Sequence, residues 1–119
     1  MREVTDRSEG QEGDGEGWDS RERADLISAI AHPLRRRILR LLHDREDPHS
    51  ASKMARALEE PVGSAAYHVR VLCNVAALEE TGEQHVRGAV ERFYLSTVED
   101  DPPIEALLEE TREADEEAG

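Results

Sequence analysis

Residues 50–76, SASKMARALEEPVGSAAYHVRVLCNVA, contain two helical patterns separated by a very short turn. Ser50 is a side-chain type that often caps the N-terminus of a helix, and it precedes a short amphipathic pattern over residues 51–58. Glu59-Glu60-Pro61 follows, and a longer apolar pattern then covers about residues 62–75. Two helices joined by so short a connection are typical of a helix-turn-helix unit.

The pattern over residues 62–75 predicts a helix with two different faces. The residues expected on the buried face are Val62, Ala65, Val69, Leu72, Cys73 and Ala76. The opposite face is expected to expose Gly63, Ser64, Tyr67, Arg70 and Asn74, with Ala66 and His68 at its borders. Such a stripe of small, aromatic and cationic groups suits insertion into the major groove of DNA. The alternative is that Tyr67 and His68 are packing residues.

Two more helices are predicted before this unit. Apolar residues recur at three- and four-residue steps: Leu26, Ile27, Ile30, Leu34, Ile38, Leu41 and Leu42. Pro33 divides the pattern into helices over about residues 21–31 and 33–43, because the residue before a proline avoids helical geometry. With Ile38 directed inward, Arg36 and Arg40 are predicted to face solvent, either as a solvated surface or as part of a DNA-facing side.

A hairpin and a terminal helix are predicted after the unit. Residues 77–81 and 91–96 have the composition of two strands, with a polar connection over residues 82–90. A hairpin that follows such a helix would form a wing beside it. A narrow apolar stripe over about residues 103–115 predicts a helix that packs on its own domain or on a partner subunit. The expected fold class is mainly α with a small β-hairpin, a winged helix-turn-helix.

Charge is distributed unevenly along the 119 residues, which are enough for one domain. The formal net charge of −13 would by itself argue against nucleic-acid binding. Residues 21–98, however, hold 12 bases, 11 acids and all five histidines, so an almost neutral domain lies between two acidic flanks. Residues 1–20 are predicted to be a disordered tail that either solubilises the protein or competes with DNA. Residues 99–119 are predicted to be an acidic helix and tail with a role in dimerisation.

Several classes of protein and site are not expected. No apolar run approaches the length of a membrane span, and the N-terminus has no apolar signal region, which together favour a cytoplasmic protein. The motifs of phosphate-binding loops, zinc proteases and nucleophile elbows are absent, so an enzyme is not expected. Cys73 is the single cysteine and is expected to be structural. The loop over residues 43–49 holds two histidines and two aspartates without metal-ligand spacing, which favours a solvated loop over a metal site.

Three segments resemble ArsR-type winged-helix transcriptional regulators. They are AIAHPLRRRIL at residues 29–39, SAAYHVRVL at residues 64–72 and RGAVERFY at residues 87–94. The resemblance covers about residues 29–96, in the order and spacing of that family. It implies a homodimer that binds operator DNA with two recognition helices, one from each subunit.

The resemblance also implies roles for individual residues. The base-reading positions fall on Gly63, Ser64, Ala66, Tyr67 and Arg70, with His68 as a further member. Phosphate contacts are expected from Lys53, Arg56, Arg87 and Arg92. A dimer interface is expected to include Leu26, Ile27, Ile30, Ile104, Leu107 and Leu108.

Four positions depart from the family pattern. Gly63 and Ala66 lack the polar group that the family often has there, so two hydrogen-bonding positions are empty. Glu59 and Ala76 stand where glycine is common. Because alanine tolerates a left-handed turn less well than glycine, the recognition helix is expected to end differently at Ala76.

The predicted partners are double-stranded DNA and a second copy of the chain. No cofactor or metal is predicted, because the paired cysteines and the terminal-helix Asp/His sets through which many such regulators sense metals are missing. The alternative function is a winged-helix module that binds protein instead of DNA. The net negative charge, the acidic flanks and the missing polar groups favour that alternative.

Overall fold

Capping side chains mark where several helices begin in residues 19–118, the part of the chain that the computed structural model describes. In the first helix, Asp19 and Glu22 each accept the backbone N–H of the other, at 2.8 and 3.0 Å. Ser50 caps a later helix, as predicted, by accepting the Lys53 N–H at 3.1 Å. The tail predicted over residues 1–20 lies almost entirely outside the described residues.

The described residues form six helices and three strands. The helices are α1 (Ser20–Ala29), α2 (Pro33–Arg45), α3 (Ala51–Leu58), α4 (Val62–Asn74), α5 (Pro102–Glu110) and α6 (Arg112–Ala118). The strands are β1 (His49–Ser50), β2 (Leu78–Val86) and β3 (Ala89–Ser96), paired antiparallel in the order β1-β3-β2. Helices α1 to α4 therefore begin and end within about two residues of their predicted limits.

The wing hairpin is longer than the sequence predicts. Strands β2 and β3 pair as far as Val86 and Ala89, so most of the predicted connection over residues 82–90 is strand. The turn contains only Arg87 and Gly88, whose φ angles of 54° and 82° are the positive values that a two-residue type I′ turn requires. The prediction missed these strand residues because the outer end of the hairpin is exposed on both faces. That exposure removes the alternating pattern of a half-buried strand.

The core is built by elements from both ends of the described chain. Its buried side chains are Leu26, Ile30, Ile38, Leu39, Leu42, Met54, Val69, Leu72, Ala77, Leu78, Val98, Ile104 and Leu108. Burial of this apolar surface is the main stabilising contribution to such a fold. Since Ile104 and Leu108 belong to α5, the terminal helix packs on its own domain, one of the two arrangements that the sequence leaves open.

Residues 102–118 form two helices instead of the single helix predicted over residues 103–115. Thr111 separates them, and its hydroxyl donates to the carbonyl of Leu107 at 2.8 Å. Arg40 donates to the carbonyl of Leu108, also at 2.8 Å. In a continuous helix that carbonyl would accept the Arg112 N–H. At the break, the carbonyl of Leu108 thus accepts from a residue 68 positions away, a contact that periodicity within the segment does not reveal.

Arg40 is buried and Arg36 is largely covered, so the prediction that they face solvent is wrong. Arg36 donates two hydrogen bonds of 2.8 Å to the carboxylate of Asp115, and Arg40 donates to the same carboxylate. The side chains of Arg40 and Asp115 are only 6% and 4% exposed. The hydrogen bonds from Arg36, assisted by Arg40, hold the pKa of Asp115 well below its ordinary range, although burial acts in the opposite direction. The pattern of α2 alone does not reveal a partner that lies in α6.

Two further arginines of α2 also bond within the chain. Arg37 donates to the carboxylate of Glu60 at 3.1 Å and to the carbonyl of Leu58 at 3.0 Å. Arg35 donates to the carbonyl of Ala29 at 3.0 Å. Four of the five arginines of α2 therefore stabilise the domain, and only Arg45 at the end of the helix is left exposed without such a bond among the described residues.

Candidate nucleic-acid interface

Helices α3 and α4 meet at the tight turn that the sequence predicts. Glu59 has a left-handed backbone with φ of 59°, and the N–H of Glu60 donates to the carbonyl of Ala55 at 2.9 Å. This bond from beyond the end of α3 back to its last turn is typical of helix ends that pass through a left-handed residue. Pro61 then occupies the N-cap position of α4. Glu59 thus adopts the conformation that glycine usually supplies.

Helix α4 presents the predicted stripe to solvent at most positions. Gly63, Tyr67, Arg70 and Asn74 are exposed, and Ser64 and Ala66 are partly buried. Tyr67 is 52% exposed, a large value for an aromatic side chain. A Cβ atom added to Gly63 would meet no atom within 4 Å, so the backbone there is open to an approaching molecule.

Two residues predicted on the buried face of α4 are exposed. Val62 is 54% exposed, because it lies in the first turn of α4 beside exposed Pro61 and Gly63. Ala76 lies beyond the end of the helix and has a left-handed φ of 62°. The expectation that the substitution of glycine by Ala76 changes how the helix ends is therefore wrong. The chain accepts the strained conformation instead.

His68 is buried, which corrects its assignment as a DNA contact. It is 7% exposed, and its Nδ1 accepts a hydrogen bond of 3.0 Å from Nε of Arg35. Its ring centroid lies 4.5 Å from that of His32. Burial is the main cause that lowers the pKa of His68 from its ordinary value of 6.5, so the ring is neutral at neutral pH. The inward direction of the ring could not be read from a border position on a helical pattern.

Three exposed arginines are available for contact with a nucleic acid. Arg70 lies on α4, Arg56 on α3 and Arg87 at the tip of the wing. None of the three forms an ion pair with another of the described residues. Each can therefore approach a phosphate without first breaking a bond within the domain.

Lys53 and Arg92, also predicted as phosphate contacts, lie beside carboxylates. The Nζ of Lys53 is 3.6 Å from the carboxylate of Asp47. Arg92 lies 3.7 Å from the carboxylates of both Glu80 and Glu83 on the neighbouring strand. Pairs as exposed as these contribute little to stability and separate at little cost. Their carboxylates nevertheless reduce the positive potential at these two positions.

Four of the six residues predicted to form a dimer interface are already covered by their own chain. They are Leu26, Ile30, Ile104 and Leu108. A side chain that is covered within one subunit gains no further burial from a second one. Ile27 on α1 is 45% exposed, and Leu107 on α5 is partly buried. These two retain apolar surface that a second copy could cover.

Of the remaining candidate ligands, Cys73 and His49 are partly or fully covered by the domain, and the other members of the loop over residues 43–49 are exposed. Cys73 is half-buried, and burial raises the pKa of its thiol, which keeps it protonated at neutral pH. His49 is buried, with Nδ1 2.9 Å from the carbonyl oxygen of Asp47. In residues 19–118, no three His, Cys, Asp or Glu side chains are grouped in a way that could hold a metal ion.

None of the helices in residues 19–118 has the length and apolar composition that a bilayer crossing requires.

Comparison with known proteins supports this architecture. Residues 30–81 match the family model of a helix-turn-helix domain. The homodimeric winged helix-turn-helix DNA-binding domain Mb0332 of Mycobacterium bovis, a possible ArsR-family transcriptional regulator, is 18% identical, with a TM-score of 0.57 over 85% of this chain and 90% of that one. Reduced HlyU from Vibrio cholerae is 20% identical, with a TM-score of 0.58 over 80% and 90%. The transcriptional repressor PagR of Bacillus anthracis is 19% identical, with a TM-score of 0.55 over 75% and 91%. No curated protein sequence matches the chain.

These comparisons confirm the predicted fold class. The hairpin β2–β3 is the wing, and α3 and α4 are the two helices of the helix-turn-helix domain. The resemblance to ArsR-type proteins is confirmed at the level of this domain and of the winged-helix fold.

Proposed function

We propose that this chain, with a helix-turn-helix domain in the winged-helix fold of ArsR-family regulators, is a transcriptional regulator that binds double-stranded operator DNA as a homodimer. Helix α4 enters the major groove in this proposal, and the wing contacts the backbone or the minor groove beside it. The protein is a binding protein and not an enzyme.

The observation that carries the proposal is the exposed stripe of α4. Tyr67 and Arg70 project from the helix, while Gly63 near its N-terminus leaves the backbone open. Small residues let a helix approach the base edges closely, and an arginine can donate two hydrogen bonds to a guanine or bind a phosphate. Most of this stripe has no evident use in stabilising the domain, because Gly63, Tyr67 and Arg70 are exposed among the described residues.

Phosphate contacts would orient the helix in the groove. Arg56 and Lys53 lie on α3, the helix that precedes the recognition helix, and Arg87 lies at the tip of the wing. In helix-turn-helix proteins the helix before the recognition helix crosses the DNA backbone. Cations at these three places would therefore contact the backbone at both sides of α4 and set its register.

A homodimer would present two copies of α4 to successive major grooves. The Mycobacterium bovis neighbour is homodimeric, which supports the same assembly here. Ile27 on α1 and Leu107 on α5 retain exposed apolar surface, and Arg23 joins these helices by donating to both carboxylate oxygens of Asp101, at 2.5 and 2.9 Å. We propose that the dimer forms at this α1/α5 surface.

The test is a titration of fragmented genomic DNA with the full chain at several salt concentrations. Because phosphate contacts release counterions, a dimer with six or more such contacts should lose about three orders of magnitude in affinity between about 50 and 200 mM salt. Binding that is absent, or that does not respond to salt, would contradict the proposal. Selection of bound fragments from the same pool would then identify the operator.

A second candidate function is a module that binds a protein. The observation in its favour is the pairing of Arg92 with Glu80 and Glu83, which leaves much of the wing acidic. A partner with a basic surface would fit that side of the hairpin. The salt titration separates the two candidates, because this module would show no salt-dependent binding to DNA.

A further inference from the structure

Arg35 connects the start of α2 to the middle of the recognition helix α4. Its Nε donates to Nδ1 of His68 at 3.0 Å, and its Nη1 donates to the carbonyl of Ala29 at 3.0 Å. The ring of His68 also lies against the ring of His32, with 4.5 Å between their centroids. One guanidinium therefore joins the end of α1, the first turn of α2 and a buried ring of α4.

The buried ring of His68 supports an exposed ring on the DNA-facing stripe. The Tyr67 and His68 rings lie edge to face, with centroids 5.0 Å apart and an interplanar angle of 72°. His68 is 7% exposed and Tyr67 is 52% exposed. The ring of Tyr67 packs against the ring of His68 on one side. The orientation of the His68 ring depends in turn on its hydrogen bond from Arg35.

We infer that Arg35 and His68 are positioning residues for the DNA contact of Tyr67, and that they act only while Nδ1 of His68 accepts the hydrogen bond from Arg35. This inference rests on the proposed function. A protonated histidine carries N–H on both ring nitrogens and has no acceptor. Protonation would therefore place a donor against the donor of Arg35 and a second positive charge beside its guanidinium. The His68 ring would shift, and Tyr67 would lose its fixed orientation.

The charges around His68 act in both directions. His32, Arg35 and burial all disfavour the protonated ring, and the carboxylate of Glu60 in the α3–α4 turn favours it. Burial is the largest cause, and together they lower the pKa of His68 below its ordinary value of 6.5. The ring is therefore a neutral acceptor at neutral pH, and protonation begins only in mild acid.

His32 is subject to the same condition. Its Nδ1 accepts the N–H of Leu34 at 3.1 Å and thereby caps α2. His32 is exposed, and partial desolvation of its ring, followed by the charges of Arg35 and Arg36, lowers its pKa. Protonation of this second ring would remove the cap from the helix that carries Arg35. Both rings therefore lose these hydrogen bonds as the pH falls.

The experiment compares DNA affinity at about pH 7.5 and about pH 5.5 for the full chain and five variants, on one genomic fragment that the unmodified chain binds. His68→Ala removes the acceptor. His68→Asn supplies an amide oxygen close to the place of Nδ1 that does not titrate. Tyr67→Ala and the double variant with His68→Ala test whether His68 acts through Tyr67. His43→Asn, an exposed histidine of α2 away from this cluster, is the control.

We expect His68→Ala to weaken binding about tenfold at the higher pH, the scale of one lost hydrogen bond to a charged group. His68→Asn should recover most of that loss. The unmodified chain and His43→Asn should weaken on acidification more than His68→Asn, in which only the response of His32 remains. In the Tyr67→Ala background, His68→Ala should add less than twofold, because the residue through which it acts is already gone.

Two failures are distinguishable. If the unmodified chain binds no fragment at any salt or pH, the proposed function is overturned and the inference falls with it. If the chain binds DNA but His68→Ala and His68→Asn have the same affinity and the same pH profile, only the inference is overturned. A tautomer measurement without DNA adds an independent check, since ¹⁵N shifts of the His68 ring should show the proton on Nε2 at neutral pH.

Discussion

Asp115 of α6 accepts two hydrogen bonds of 2.8 Å from Arg36 of α2, across 79 positions of the chain. The same guanidinium also donates to the carbonyls of Ile30 and Ala31, at 3.0 and 2.9 Å. Arg36 therefore joins the connection after α1 to the last described helix. Paired geometry of this kind between a guanidinium and a carboxylate is among the stronger polar contacts in proteins.

Substitution of Asp115 should destabilise the domain strongly. Asp115→Asn leaves Arg36 and Arg40 without their shared counter-charge in a buried position, so we expect the free energy of unfolding to fall by about 3 kcal/mol. Urea denaturation followed by circular dichroism measures this loss. Glu113→Gln, an exposed position in the same helix, is the matched control and should change stability by less than about 0.5 kcal/mol. Equal effects of the two variants would contradict the role given to Asp115.

The contribution of Asp115 should depend on pH. Its pKa is lower in the folded chain than in the unfolded chain, where it has the ordinary value of 3.8. The unfolded chain therefore binds more protons below that value, and stability falls as the pH falls. The stability difference between the unmodified chain and Asp115→Asn should be largest at neutral pH and should shrink below about pH 4. Urea denaturation at a series of pH values gives the difference, and a constant difference would be inconsistent with this explanation.

Ala76→Gly should stabilise the domain. Ala76 has a φ of 62°, a conformation that costs a residue with a side chain roughly 1 kcal/mol and costs glycine almost nothing. We expect a gain of about 0.5–1 kcal/mol in the free energy of unfolding, with DNA affinity unchanged. Ala57→Gly, at an exposed position within α3, should lose about 1 kcal/mol. If both glycines destabilise the protein, the left-handed residue at the end of α4 is not a source of strain.

Arg70→Ala should weaken DNA binding without unfolding the domain. Arg70 is exposed on α4 and forms no ion pair within the described residues, so its removal should leave the midpoint of thermal unfolding within a few degrees. The affinity should fall about 5- to 150-fold per site, by about 1–3 kcal/mol. Arg45→Ala removes an equally exposed arginine at the end of α2 and should bind like the unmodified chain. Unchanged affinity of Arg70→Ala would place α4 outside the interface.

The acidic side of the wing should limit DNA affinity. Glu80→Gln together with Glu83→Gln removes the carboxylates 3.7 Å from Arg92, so we expect the affinity for DNA to rise several-fold at low salt. In an Arg92→Ala background, the same pair of substitutions should have a smaller effect, because part of the gain acts through that arginine. An unchanged affinity in the first background would mean that this part of the hairpin lies away from the phosphates.

The fold could be predicted from the sequence because its deciding signals are local. Ser50 before α3, the short connection at Glu59-Glu60-Pro61 and the two-faced pattern of α4 each act over a few residues, and all three are present in the structure. The predicted elements therefore lie in the right order with nearly the right ends. One exception is the hairpin, where exposure of both faces at the wing tip removes the pattern that would mark a strand. The other is the predicted terminal helix, which is divided into α5 and α6.

The roles of individual side chains were harder to predict because their partners are distant in the chain. The periodicity of α2 turns Arg40 outward, but the acceptors of its hydrogen bonds lie in α5 and α6. His68 was expected at the border of α4, and only the three-dimensional structure shows Arg35 beside it. In both cases a polar residue is buried because a specific partner compensates for the loss of water. A helical pattern carries no information about such partners.

The contact between Asp115 and the two arginines also bears on where the chain can be cut. A fragment restricted to residues 30–81, the part that matches a helix-turn-helix domain, would lack the carboxylate that Arg36 and Arg40 share and the α5 side chains that cover the core. The guanidinium groups of Arg36 and Arg40 and the apolar surface under α5 would then be exposed to solvent. A stably folded domain is therefore expected to need residues well past residue 81. A shortened chain intended for biophysical work should retain the polypeptide at least to the end of α6.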